Sequence, residues 1–151
     1  SLAGLVVGGL ARRGASIALL DQGSGGHLLE LLSSVPGADA VFRGGMVALR
    51  PQMMAALGLP EHSRLGGEPD EAARLAQAIR DAFSAYIGVA VLISGTPDSL
   101  HQGQATDEVV IAVRSGGETA VRRLDMTPVP APWRRERMSN IALHLLWSQL
   151  R

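Results

Sequence analysis

The chain has 151 residues, of which 46% are hydrophobic, and its 14 acidic and 14 basic side chains give a formal net charge of zero. A chain of this length is most simply one domain with a buried core. The balanced charge and the lack of a basic run argue against nucleic acid or an acidic membrane as the main partner. The absence of cysteine excludes disulfides, thiol catalysis and cysteine-ligated metals, and it is typical of a cytoplasmic protein.

Every basic residue is an arginine, and the chain has no lysine. Because a guanidinium group stays protonated, this composition excludes Schiff-base chemistry, a serine–lysine dyad and a phosphate-binding-loop lysine. No apolar stretch has the length of a membrane span. The apolar segment 1–10 has no basic leader, which argues against a signal peptide. Since the chain does not begin with methionine, we expect residues 1–151 to be a single domain excised from a longer chain.

The first half of the chain predicts alternating helices and strands. Apolar spacing indicates a helix over residues 2–13, a buried strand over 17–20 and a helix over 25–34. A second strand, bent at a glycine pair, is predicted over 40–49, and a helix is predicted to start at Pro51. The expected buried face of the first helix consists of Leu2, Leu5, Val6, Gly9 and Leu10.

The second half contains the clearest helix, which opens at Pro69, and a continuous apolar strand over 87–93. Strands over 108–114 and 119–124 should pair antiparallel through the turn Ser115-Gly116-Gly117-Glu118. A last amphipathic helix follows three prolines. The expected buried face of the Pro69 helix consists of Ala72, Leu75, Ala76, Ile79, Ala82, Phe83 and Tyr86.

These elements predict a three-layer α/β/α fold with a mixed sheet of about five strands and helices on both faces. Binding sites in such sheets collect beyond the carboxyl ends of the strands. Residues 22–26, 49–51 and 94–98 are therefore expected to line one cleft. The glycine-rich turn at 22–26 leads into a helix, where backbone N–H groups favour an anion.

Six short segments and the arginine-rich start of the last helix form an ordered set of motifs; the segments are LDQGSGG at 20–26, VPGA at 35–38, FRGGMVA at 42–48, LGLP at 57–60, AVLISG at 90–95 and VVIA at 109–112. In this order they resemble the C-terminal domain of the CinA family, the competence/damage-inducible proteins or nicotinamide-nucleotide amidases. The resemblance covers nearly the whole chain, and FRGGMVA beside VPG is its most specific part. It implies an α/β fold, no cofactor and hydrolysis of the carboxamide of nicotinamide mononucleotide in NAD metabolism.

The resemblance does not extend to the family's reactive groups. Its Ala-Glu-Ser-Cys-Thr-Gly-Gly pattern falls on residues 20–26, which sets its nucleophilic serine at Gln22 and its cysteine at Gly23. Its Tyr-Ser-Asn-x-x-Lys segment falls on residues 49–54, without the tyrosine and the lysine. Its Gly-x-Ala-Gly-Pro loop is reduced to SGTP at 94–97. Loss of nucleophile and base together removes several powers of ten in rate. The chain is therefore interpreted as a catalytically degenerate relative without a catalytic residue, an interaction or regulatory module.

The resemblance further implies residual binding of a pyridine nucleotide or phosphate, a nucleotide-hydrolase domain on the amino-terminal side in longer members, and self-association. For self-association, the methionines Met46, Met53 and Met54 are expected to be exposed. The candidate ligand-binding residues are Ser24, Gly25, Gly26, Arg50, Ser94, Gly95 and Thr96.

An amidohydrolase with relocated catalytic groups is the alternative function. Ser24 could then act as a displaced nucleophile, although a serine at this place more commonly caps the following helix. Asp21 is expected to orient the turn rather than to transfer protons. A general base would have to be a loop histidine, but none has the spacing of a metal site or a catalytic pair. The histidines concerned are His27, His62 and His101, whereas His144 is expected at the surface of the last helix.

Arg50 has three possible roles. Its planar guanidinium could bind phosphate, or it could fill the cleft by pairing with Asp21 or Asp98. An unpaired surface arginine is the ordinary case.

Overall fold

The computed structural model describes residues 1–47, 69–93 and 108–151, together with positions 52, 55 and 58. The described helices are α1 (Leu2–Arg13), α2 (His27–Ser33), α3 (Pro69–Ala82) and α4 (Arg134–Leu150). The described strands are β1 (Ile17–Asp21), β2 (Phe42–Met46), β3 (Ile87–Ile93), β4 (Glu108–Ser115) and β5 (Glu118–Asp125).

The five strands form one mixed sheet in the order β2-β1-β3-β4-β5. Strand β1 is parallel to both of its neighbours, whereas β4 is antiparallel to β3 and to β5. Every residue of β1 and β3 is buried, as expected for central strands that are covered on both faces. The predicted mixed five-stranded sheet is therefore confirmed.

Helices cover both faces of the sheet. On one face α1, α2 and α4 enclose the larger hydrophobic cluster, and on the other face α3 encloses the smaller one. Helix α3 lies very close to β3, because a Cβ atom on Gly88 would be 2.0 Å from the carbonyl oxygen of Ala76. The three layers predicted from the alternation of elements are thus present.

The buried face of α1 differs from the predicted one. Leu5 is 52% exposed, whereas Ala3 and Val7 are buried beside Val6 and Leu10. Both faces satisfy helical spacing, since nearly all residues of this helix are apolar. The hydrophobic pattern alone could not distinguish them.

Helix α3 ends earlier than its apolar spacing predicts. It stops at Ala82, and Ser84 takes a left-handed conformation with φ of 52°. Ala82 is exposed and Tyr86 is 51% exposed, so neither belongs to the buried face. Tyr86 instead lies beside Arg80, whose guanidinium carbon is 5.8 Å from the ring centroid.

Other boundaries shift by a few residues. Strand β2 is shorter than predicted because Ala38–Ala40 form a 3₁₀ turn before it. Met46 is partly buried and packs against the smaller cluster, so the expectation that it is exposed was wrong. Positions 52 and 55 are helical, but most of the helix predicted from Pro51, with Met53 and Met54, lies outside the described residues. Among the described helices, none combines the length and the apolarity needed to cross a bilayer.

Candidate functional site

The turn between β1 and α2 is organised by Asp21, the last residue of β1. Its side chain is fully buried, with 0% exposure. One carboxylate oxygen, Oδ1, accepts from the N–H of Ser24 at 3.1 Å. The other, Oδ2, accepts from the Ser24 hydroxyl at 2.5 Å and from the N–H groups of Gly26 and Leu28 at 3.2 Å. The role expected for Asp21, orienting the turn, is confirmed.

This arrangement places an internal anion at the start of α2. Free N–H groups and the helix dipole favour negative charge at this position. The Asp21 carboxylate accepts hydrogen bonds from the N–H groups of Ser24, Gly26 and Leu28. An external phosphate would have to displace the carboxylate to use the same donors.

Ser24 has a hydroxyl that is engaged as both donor and acceptor. It donates to Asp21 and accepts from the N–H of Leu28 at 3.1 Å. Because α2 begins at His27, Ser24 acts on the first helical turn from outside the helix. The side chain is 1% exposed, whereas a nucleophile must reach its substrate. The catalytic alternative for Ser24 stays a prediction.

Gln22, on which the resemblance places the nucleophile, is buried, with 1% exposure. Its backbone N–H and that of Gly23 both donate to the carbonyl oxygen of Val91, at 3.0 and 2.9 Å. Its side-chain oxygen Oε1 accepts from the N–H of Ile93 at 3.1 Å. The carboxamide therefore continues the pairing of β1 with β3 beyond the last residue of the strand.

The glycines of the turn permit this close packing. A Cβ atom on Gly23 would lie 2.8 Å from Cγ1 of Val91 and 3.1 Å from the sulfur of Met138. Gly25 and Gly26 have φ values of 63° and 102°, which favour glycine. The turn is thus held against both β3 and α4.

Helix α4 is attached to the turn through a hydrogen bond that the sequence interpretation did not include. The Nε–H of Arg135 donates to the carbonyl oxygen of Ser24 at 2.8 Å. The two residues are 111 positions apart in sequence. The arginine-rich start of the last helix was visible as a pattern, but no local signal indicated its acceptor.

The remaining predicted site residues are only partly described. Ser24, Gly25 and Gly26 lie together in the turn, and His144 is exposed on α4 as expected, while His27 is partly buried. Within the part of the chain that the structure describes, no group of His, Asp and Glu side chains is placed to hold a metal ion. The candidate residues outside the described part are Arg50, His62, Ser94, Gly95, Thr96, Asp98 and His101.

Comparison with known proteins places this geometry in a family. The family model described as the CinA C-terminal domain matches residues 1–150. A CinA-like protein from Anaeromyxobacter sp. (strain Fw109-5) is 39% identical over 132 residues, which are 82% of this chain and 31% of the relative. A CinA-like protein from Frankia casuarinae is 39% identical over 95 residues, which are 60% of this chain and 22% of the relative.

Solved structures show the same fold. The competence/damage inducible protein CihA from Agrobacterium tumefaciens superimposes with a TM-score of 0.81 at 17% identity, over 99% of this chain and 94% of that one. A CinA superfamily protein from Klebsiella pneumoniae gives 0.77 at 19% identity, over 99% and 95%. The chain spans less than a third of the length of the two CinA-like relatives above.

Proposed function

The chain belongs to the family of CinA C-terminal domains, and from that premise we propose that it is a non-catalytic member, an interaction or regulatory module. The observation that carries the proposal is the buried, hydrogen-bonded side chain of Gln22. This residue stands where the family pattern has its nucleophilic serine, and its carboxamide is buried and bound to the N–H of Ile93.

A carboxamide at this position cannot supply the chemistry. A nucleophile needs an oxygen, sulfur or nitrogen that a nearby base can activate, and an amide nitrogen is not such a group. The tyrosine and lysine of the family pattern are also missing from the sequence at 49–54. With no lysine anywhere in the chain, another lysine cannot replace the missing base.

The neighbouring residue supports the same interpretation. Where the family pattern has cysteine, this chain has Gly23, and a Cβ atom there would lie 2.8 Å from a methyl group of Val91. Real Cβ atoms do not approach other atoms so closely, so a cysteine would force the turn or Val91 to move. The turn therefore packs more tightly on β3 than the family's own residue would permit.

Residual binding of a pyridine nucleotide or phosphate would depend on groups other than the turn's engaged N–H donors. These donors already bind the Asp21 carboxylate, and a phosphate beside it would add like charge. Such binding would rely on Arg50 and residues 94–96. The proposal also includes an additional nucleotide-hydrolase module, which the greater length of the relatives supports. It includes a cytoplasmic location as well, which the lack of cysteine supports.

The test is to incubate the chain with nicotinamide mononucleotide and to measure the ammonia that hydrolysis releases, with an active family member as the positive control. We expect the chain to release no more ammonia than the buffer. The variant Gln22→Ser should also stay at that level, because the partner tyrosine and lysine are still absent. Turnover above the buffer level would establish the relocated amidohydrolase instead, if Ser24→Ala abolishes it and Ser33→Ala leaves it intact. Ser33 is an exposed serine on α2 and serves as the control.

Binding is tested separately by calorimetric titration with nicotinamide mononucleotide. Heat that saturates at millimolar or lower ligand would support residual nucleotide binding. The absence of heat would leave the module without this ligand and would not affect the conclusion on catalysis.

A further inference from the structure

Among the strands of the described residues, β5 lies at an edge of the sheet. It is last in the sheet order, and all of its side chains except Ala120 and Leu124 are exposed. Val121, at 37% exposure, is among the large hydrophobic residues at the surface. An eight-residue edge of this kind is able to pair with another strand.

The hairpin fixes which backbone groups point outward. Ser115 pairs with Glu118 across the two-residue turn, and Gly116 has a φ of 58°, as at the first central position of a type II′ turn. The pair that closes such a turn is hydrogen-bonded, and the hydrogen-bonding direction alternates along the strand. Residues 118, 120, 122 and 124 therefore bond to β4. The N–H and C=O groups of 119, 121, 123 and 125 point away from the sheet.

The charges of β5 distinguish between the possible partners. Arg123 is engaged with Glu108 of β4, with 3.3 Å between Nε and Oε1. Glu118 and Arg122 are exposed and make no ion pair with a described residue. They lie on one face of the strand, four positions apart and opposite in sign. An antiparallel strand carrying the same two residues in reverse order would complement them.

We propose that β5 pairs antiparallel with β5 of a second copy, about a two-fold axis between the two Ala120 residues. In this register the outward-facing Thr119 and Val121 exchange hydrogen bonds with Val121 and Thr119 of the other copy. Glu118 then stands opposite the Arg122 of the other copy, and the symmetry produces this pair twice. Directly opposed side chains lie about 4.5–5.5 Å apart at Cβ, so both ion pairs can form.

The alternative registers are less favourable. Shifting the strands by two positions places Glu118 opposite Leu124 in one direction and opposite Ala120 in the other, so that both ion pairs are lost. Shifting them by four positions places Arg122 opposite itself in one direction and Glu118 opposite itself in the other, and a shift of six positions places Arg123 opposite itself. Like charges directly opposite each other destabilise a strand pair. Charged side chains on an edge strand ordinarily prevent association. In the symmetric register proposed here, however, Glu118 of each copy attracts Arg122 of the other. This inference rests on the edge strand and is independent of the proposed loss of catalysis.

The contact is short, so we expect a weak dimer that is sensitive to salt. A single strand pair buries less than the standard interface area of about 1,600 Å². Exposed ion pairs weaken as the ionic strength rises. The dimer should therefore form in the upper part of a concentration series from about 10 μM to 1 mM at low salt.

Charge exchange provides the test, with sedimentation velocity as the readout and circular dichroism to verify folding. Arg122→Glu and Glu118→Arg each place two pairs of like charges in the homodimer, so each variant should dissociate at least about ten-fold more readily than the parent chain. A mixture of the two variants should associate, because one copy then carries two acidic and the other two basic residues. The double variant should regain the behaviour of the parent chain.

Arg151→Glu changes a basic residue outside β5 and serves as the matched control. A parent chain that stays monomeric to about 1 mM at low salt would overturn the proposal. Single variants that dimerise as well as the parent chain, or a mixture that does not associate, would overturn it as well.

Discussion

Replacement of Asp21 tests the central feature of the turn, a buried carboxylate that accepts hydrogen bonds from the start of α2. In Asp21→Asn the amide oxygen can keep the position of Oδ2 and its contacts with the Ser24 hydroxyl, Gly26 and Leu28. The amide nitrogen then takes the position of Oδ1 and faces the N–H of Ser24, which is a donor against a donor. One buried N–H group is left without an acceptor.

The magnitude follows from these contacts. A buried donor without a partner costs about 1–3 kcal/mol, and hydrogen bonds to a charged acceptor contribute more than neutral ones. We therefore expect Asp21→Asn to lower the free energy of unfolding by about 2–4 kcal/mol. Asp21→Ala should cost more, because Ser24 and Gly26 both lose their acceptor while Leu28 keeps the Ser24 hydroxyl.

Urea unfolding followed by circular dichroism measures the effect. With a denaturant slope of about 1–3 kcal/mol per molar urea, a loss of about 3 kcal/mol lowers the midpoint by about 1–3 M. Asp39→Asn, an exposed aspartate in the 3₁₀ turn, is the matched control and should change stability by less than about 0.5 kcal/mol. If Asp21→Asn is as stable as this control, the carboxylate does not hold the turn and the reasoning is wrong.

Two further measurements examine other parts of the fold. Gly88→Ala should lower the free energy of unfolding by at least about 3 kcal/mol, since the new Cβ would be 2.0 Å from the Ala76 carbonyl oxygen. Gly117→Ala meets no atom within 4 Å and should be nearly neutral in the same urea experiment; equal stability of the two variants would contradict the close packing of α3. The Thr127 side chain and N–H hydrogen-bond to the carboxylate and hold the pKa of Asp125 below its ordinary value. Thr127→Val should therefore raise the pKa of Asp125 in an NMR titration. Because the pKa is lowered in the folded state, this contribution to stability is present at neutral pH and is lost as the pH falls through the folded-state pKa; an unchanged midpoint in Thr127→Val would remove the side-chain hydrogen bond as the cause.

The elements that the sequence predicted well are those with an unambiguous period or turn. The continuous apolar run of β3 and the glycine pair between β4 and β5 each allow one interpretation. The α1 face was wrong because Leu5 and Val7 are equally apolar. The end of α3 was missed because a left-handed serine, Ser84, stops a helix whose apolar spacing continues to Tyr86.

The same distinction applies to the candidate site. The contacts of Asp21 with Ser24 lie within three residues, and local turn chemistry was sufficient to predict the role of Asp21. The bond between Gln22 and Ile93 depends on the register of two strands 71 residues apart, and that of Arg135 depends on how α4 packs. The sequence pattern predicts neither hydrogen bond, because each joins residues that are far apart in the chain.

The parallel centre of the sheet has a consequence for the order in which the chain can fold during synthesis. Strand β1 is synthesised well before its partner strand, since Ile87 lies 70 positions after Ile17, and α4, which packs with α1 and α2 around the same hydrophobic cluster, is synthesised later still. Until then the apolar residues of β1 and α1 lack the surfaces that bury them, whereas β4 and β5 can close on each other locally. We therefore expect the amino-terminal segments to be the most dependent on chaperones while the chain is growing, and the carboxyl-terminal hairpin to be the first part of the sheet to form.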